Sequence, residues 1–86
     1  MEIKVLGSGC KNCKLLYENV KTAVSHLNLN ATIDYITDME AIANSGLMRT
    51  PGLIINQQIV SSGKVLGVDM IEALIKNPLE IYLRTL

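Results

Sequence analysis

At 86 residues the chain has room for one domain with a modest core, and 49% hydrophobic with 19% charged residues is globular composition. No apolar run approaches the roughly 18 residues that span a bilayer, and the MEIKVLGSG start lacks the basic-then-apolar order of a signal peptide, so no membrane segment is expected and the expected location is the cytoplasm. Eight basic and eight acidic residues cancel and the Lys and Arg residues are scattered, which removes the electrostatic footprint of a nucleic-acid binder.

Residues 2–6 (EIKVL) alternate charged and apolar side chains and then run into Gly7-Ser8-Gly9, the pattern of a strand ending in a turn. The chain's two cysteines follow directly in Cys10-Lys11-Asn12-Cys13. From Lys11 to about Asn28, Leu16, Val20, Ala23 and Leu27, flanked by Tyr17 and Val24, recur at helical spacing, which predicts a helix beginning at the cysteine pair. Ala31–Thr37, with Ile33, Tyr35 and Ile36, predicts a second strand. Thr37 followed by Glu40 matches a capping box for a short helix that Gly46 ends. Gly52–Ile55 and Ile59–Ser61 are apolar runs separated by Asn56, Gln57 and Gln58, which predicts a hairpin. Gln57 suits a tight primed turn poorly, so a loop wider than two residues is expected. Met70, Ile71, Leu74 and Ile75 give a third amphipathic helix over Val68–Asn77. The order β-α-β-α-β-β-α implies an α/β fold with a mixed four-stranded sheet and flanking helices. Past Pro78, Leu79, Tyr82, Leu83 and Leu86 at helical spacing suggest a short C-terminal helix over 79–86 that covers the core, with a dimer contact as the alternative; the whole of 1–86 is expected to be one domain and a monomer. Met39, Met48 and Met70 are too dispersed for a metal site and are expected as core fillers.

A pair of cysteines three residues apart at the first turn of a helix has its sulfurs within disulfide-forming distance without bending the backbone. In a reducing compartment so short a loop is a poor staple, so the pair is there for chemistry or for metal. The first cysteine sits where unpaired helix N–H groups and the positive end of the helix dipole converge, and Lys11 and Lys14 add positive charge, so Cys10 is expected to titrate below the free value of about 8.5. Cys13, one turn in, is expected to be more enclosed. That asymmetry makes Cys10 the attacking thiolate and Cys13 the resolving thiol of a thiol-disulfide oxidoreductase, with no metal or organic cofactor needed for the exchange. A closed zinc site wants four ligands, whereas the chain offers Cys10, Cys13 and, about four helical turns away, His26, which lies off the apolar stripe and is expected at the surface.

Three segments carry a resemblance: VLGSGCKNCKLL at Val5–Leu16, MRTPGLIIN at Met48–Asn56, and Ser62-Gly63-Lys64 after the hairpin. With them the chain, from residue 2 to about 77, resembles the small thioredoxin-like, glutaredoxin-like redox-active disulfide proteins of bacteria and archaea. The resemblance implies a thioredoxin-like fold, a cis Thr50-Pro51 bond standing across from the cysteine pair, and a Thr50 backbone that pairs with an extended substrate segment. It also implies a disulfide-bearing protein or small molecule as substrate, and as reductant a flavoprotein of the thioredoxin reductase type, with glutathione as the alternative. The chain departs from larger thioredoxins in having Gly9 where they place tryptophan and Lys11-Asn12 where they place Gly-Pro. It has Lys4 where they bury an aspartate six residues before the first cysteine. Lys4 is then either an exposed strand residue or a cation beneath the motif that lowers the pKa of Cys13.

Two other classes compete. A copper(I) or zinc chaperone of ferredoxin-like fold also runs strand, glycine-bearing loop, C-x-x-C and helix, but Ser8 stands where those domains favour a methionine-threonine lead-in, and the hairpin-helix ending is foreign to them. A redox-sensing adaptor would use the same fold and pair without turnover.

Overall fold

The computed structural model describes residues 1–76, and the expected helix over 79–86 lies outside them. The elements are β1 (Glu2–Leu6), α1 (Lys11–His26), β2 (Thr32–Ile36), α2 (Met39–Asn44), β3 (Gly52–Ile55), β4 (Gln58–Ser62) and α3 (Val68–Lys76). They form a four-stranded sheet in the order β2-β1-β3-β4. β1 and β2 are parallel, while β3 is antiparallel to both β1 and β4.

Strand alternation sorts the core into two layers. Ile3, Val5, Leu53 and Ile55 face one way and pack with Leu16, Val20 and Ala23 of α1 and Ile71, Leu74 and Ile75 of α3. On the other face Leu6 and Ile54 pack with Ile42, the buried residue of α2. Every residue of β3 is buried, as a central strand covered on both faces requires. Lys4 belongs to the α2 face with Leu6, away from α1, and its ammonium lies 3.6 Å from Glu2. It is a solvent-reaching strand residue and not a cation beneath the cysteines.

Local chemistry differs from the sequence expectation at two places. The N-cap of α2 is Asp38, whose carboxylate accepts from Glu40 N–H, so the Thr37–Glu40 capping box does not form; a carboxylate one residue nearer the helix takes the role. Gly46 does adopt the left-handed conformation just past that helix (φ 86°). The β3–β4 loop is two residues, not wider: Asn56 and Gln57 both have positive φ (49° and 70°), the signature of a type I′ turn. Register holds Gln57 there, because Ile55 opposes Gln58, and Asn56 is anchored through a 2.9 Å bond from Glu2 N–H to its side-chain oxygen. A bulge between Leu53 and Ile54 then leaves Val60 unpaired, so that Ile59 opposes Ile54 and Ser61 opposes Leu53.

The methionines are not core fillers. Met39, Met48 and Met70 are 64%, 91% and 48% exposed. Met39 opens a helix that buries only Ile42, Met48 lies in the loop before β3, and Met70 falls one position off the Ile71, Leu74, Ile75 stripe. His26 is at the surface, 3.5 Å from Glu72 of α3.

Candidate functional site

β1 hands the chain to the cysteines through a bend whose geometry depends on Gly7. A Cβ built on Gly7 would overlap Cys13 Sγ and lie 2.7 Å from Cys13 Cβ, so only glycine lets β1 pass this close to the first turn of α1. Gly7 N–H donates to the Ile36 carbonyl at 3.0 Å, which ties the bend to the end of β2. Gly9 takes a left-handed conformation (φ 85°) and turns the chain into the helix.

Cys10 is the N-cap of α1, and its Sγ accepts the backbone N–H of Cys13 at 3.2 Å. One of the helix's otherwise unpaired N–H groups therefore points at the first sulfur. The two cysteines are joined as a disulfide with Cα atoms 5.1 Å apart. Their exposures differ: Cys10 is exposed and Cys13 is fully buried. No acidic residue occupies the first turn of α1, while Lys11 and Lys14 are both exposed there.

Antiparallel register puts Leu6 opposite Gly52, and hence Thr50-Pro51 beside Gly7 at the same end of the sheet as the cysteines. The Thr50-Pro51 bond is cis. Pro51 is buried and its carbonyl accepts Gly63 N–H at 2.9 Å; Thr50 is exposed, and among the described residues neither its N–H nor its carbonyl has a partner. A side chain that sequence reasoning left without a role holds this loop in place. Ser62 Oγ accepts Arg49 N–H at 3.1 Å and donates to the Arg49 carbonyl at 3.3 Å, clamping the residue next to Thr50 to the end of β4. The visible trace in the sequence is a small hydroxyl residue followed by glycine directly after the hairpin.

Similarity to known proteins agrees with this arrangement. The chain is 40% identical over 78 residues to a protein named thioredoxin from Methanocaldococcus jannaschii, covering 91% of this chain and 90% of that one. It is 32% identical over 75 residues to a thioredoxin from Methanothermobacter thermautotrophicus, covering 87% of this chain and 97% of the relative. The thioredoxin-domain family matches residues 1–76, all of the described structure. With a disulfide pair at the head of α1 and the sheet order given above, the chain belongs to the thioredoxin-domain family and is a thiol-disulfide oxidoreductase.

Proposed function

We propose that the protein reduces disulfides by a two-step exchange in which Cys10 attacks and Cys13 resolves. The observation that carries this assignment is the contrast between an exposed Cys10, whose sulfur accepts a helix N–H, and a fully buried Cys13. In the reduced protein the N–H and the helix end favour negative charge on Cys10 sulfur, and Lys11 and Lys14 add to it. Cys10 thiolate attacks one sulfur of the substrate disulfide, that bond breaks, and the departing substrate thiolate takes up a proton. Cys13 loses its proton and attacks Cys10 Sγ; the Cys10–substrate bond breaks, the second substrate group leaves as a thiolate and takes up a proton, and the Cys10–Cys13 disulfide closes. The substrate has gained two electrons from the cysteine pair and two protons, one released by Cys13 and one drawn from solvent.

Thr50 supports the reading as a main-chain docking point, since the residue is exposed beside the cysteines, its peptide groups have no partner among the described residues, and they can pair with an extended substrate segment; Pro51 seats that loop. A flavoprotein of the thioredoxin reductase type, or else glutathione, returns the electrons. The protein acts in the cytoplasm as a monomer, with 1–86 one domain and 79–86 its C-terminal extension; no helix among the described residues is long and apolar enough to cross a membrane.

The test is the thiol-disulfide equilibrium of the protein against glutathione, run with Cys13→Ser. A two-electron couple between about −120 and −300 mV, with Cys13→Ser held as a mixed disulfide through Cys10, is the expected result. Tight copper(I) retention with no mixed disulfide would instead favour a metal chaperone, and a couple that cycles without reducing any substrate would favour a redox sensor.

A further inference from the structure

Four of the Lys and Arg residues scattered in the sequence meet at one end of the sheet. β1 and β2 both finish at the end that carries Cys10, β3 begins there, and β4 finishes there. The strand order β2-β1-β3-β4 therefore sets four connections side by side: the lead-in to α2 after β2, the cysteine turn after β1, the Thr50 loop before β3, and the Gly63 loop after β4. Their charges are sorted. Asp38 and Glu40 stand at the β2 edge; Lys11 and Lys14 follow β1, Arg49 precedes β3 and Lys64 follows β4, all four exposed. No carboxylate lies in residues 7–17, 47–51 or 62–66.

The remaining described acids are held elsewhere. Glu2 opens β1 at the opposite end, Asp34 opposes Lys4 in mid-sheet, and Glu18 pairs with Lys21 at 3.0 Å. The approach to α3 is bonded to mid-α1 through Asn19 and Leu66, and Glu72 reaches His26 at the far end of α1, so Asp69 and Glu72 also lie away from the cysteines. Among the described residues, none of Lys11, Lys14, Arg49 and Lys64 makes an ion pair.

Strands about 4.8 Å apart put the end of β4 about 10 Å from the end of β1. That is close to the Debye length of about 8–10 Å at physiological ionic strength, so the four cations act on an approaching partner as one field. Met48, 91% exposed next to Arg49, adds an apolar contact within it.

We infer that the disulfide partner is an acidic protein segment, its carboxylates flanking the disulfide on the side that faces β3 and β4. The inference rests on the oxidoreductase function and deepens it. A basic segment would meet like charge over three of the four connections, and Asp38 and Glu40, one strand from β1 on the opposite side from β3 and β4, confine the cationic face to the β1, β3 and β4 connections.

The test uses the reduced full-length protein and two synthetic peptides that differ only in the residues flanking one disulfide, Glu in one and Lys in the other, with bis(2-hydroxyethyl) disulfide as an uncharged control. At about 0.01 M ionic strength the second-order rate constant for the Glu peptide exceeds that for the Lys peptide by about tenfold, and at about 1 M the ratio falls to within about twofold. Arg49→Glu with Lys64→Glu inverts the order at low ionic strength and leaves the uncharged control within about twofold. If that variant does not fold, Arg49→Gln with Lys64→Gln should bring the two peptides to within about threefold of each other. Equal rates for the two peptides, or a preference that survives these substitutions, overturn the inference while the oxidoreductase function stands. Reduction of none of the three disulfides removes that function and the inference with it.

Discussion

Gly7→Ala introduces a methyl group into space that Cys13 already fills. Its Cβ would lie 2.7 Å from Cys13 Cβ, where carbon atoms prefer about 3.5–4.0 Å, so about 1 Å must be found. Neither side yields easily: Gly7 is pinned by its N–H to the Ile36 carbonyl, and Cys13 sits in the first turn of α1 with its own N–H on Cys10 sulfur. Overpacking of this kind costs about 1–3 kcal/mol. At about 4–8 °C per kcal/mol for a domain of this size, Tm should fall by roughly 4–24 °C. Far-UV circular dichroism of the oxidised protein, in thermal and guanidinium melts, measures it. Gly67→Ser is the matched control, because nothing lies within 4 Å of a Cβ there and Gly67 caps α3 by accepting Ile71 N–H, a position serine suits. That variant should melt within a few degrees of the parent, or above it. The same displacement moves Cys13 relative to Cys10, so release of substrate from the mixed disulfide should slow by about tenfold or more. A Gly7→Ala protein whose stability matches the parent to within about 0.5 kcal/mol would refute the close packing of β1 on Cys13.

Other expectations follow from single contacts. Leu16→Ala should cost about 2–5 kcal/mol, because Leu16 is fully buried between β1 and α3. Its neighbour Leu15 is 50% exposed, so Leu15→Ala should cost no more than about 0.5 kcal/mol; denaturant melts of the pair read the register of α1. Gln57→Gly should stabilise the protein by about 1 kcal/mol, since a left-handed φ of 70° is strained for glutamine and free for glycine, and Tm should rise by about 4–8 °C. In the reduced protein, the ultraviolet absorbance of the thiolate should show Cys10 ionising below about 8.5, and Lys11→Gln with Lys14→Gln should move the ionisation upward. A Cys10 thiol of that acidity would contribute stability that is complete above about pH 8.5 and is lost as pH falls through its folded value. Denaturant titration of reduced Cys13→Ser across that window checks the sign.

Periodicity and spacing were enough to identify the seven elements and the redox pair. Apolar residues every three or four positions from Leu16 to Leu27 write α1 directly, and a C-x-x-C at the head of that helix has few uses other than exchange or metal binding. These signals are local, carried by residues within a turn or two of each other, so they survive without knowledge of the fold. Turn and cap chemistry was less legible where two residues compete for one role. Thr37 and Asp38 can each cap α2, and only the path of the chain out of β2 gives the position to Asp38. Likewise Gln57 is locally unfavourable in a type I′ turn, but the Ile55–Gln58 register and the anchored Asn56 side chain hold it there.

What the tertiary structure alone decided is which distant residues meet. Composition predicts methionines in the core, yet burial depends on the orientation of an element against its neighbours, and Met39, Met48 and Met70 each fall on an outer side. The glycine at position 7 reads in sequence as a turn residue; folded, it is the space that Cys13 occupies. Ser62 gains its role through a pair of bonds to Arg49 that span 13 residues. The charges make the same point most plainly. Lys11, Lys14, Arg49 and Lys64 are dispersed along a chain of zero net charge, and it takes the strand order β2-β1-β3-β4 to bring them to one end of the sheet and leave Asp38 and Glu40 at its edge. Local pattern determines elements because helix and strand geometry repeat within a few residues, whereas a shared surface is a property of how those elements are ordered in space.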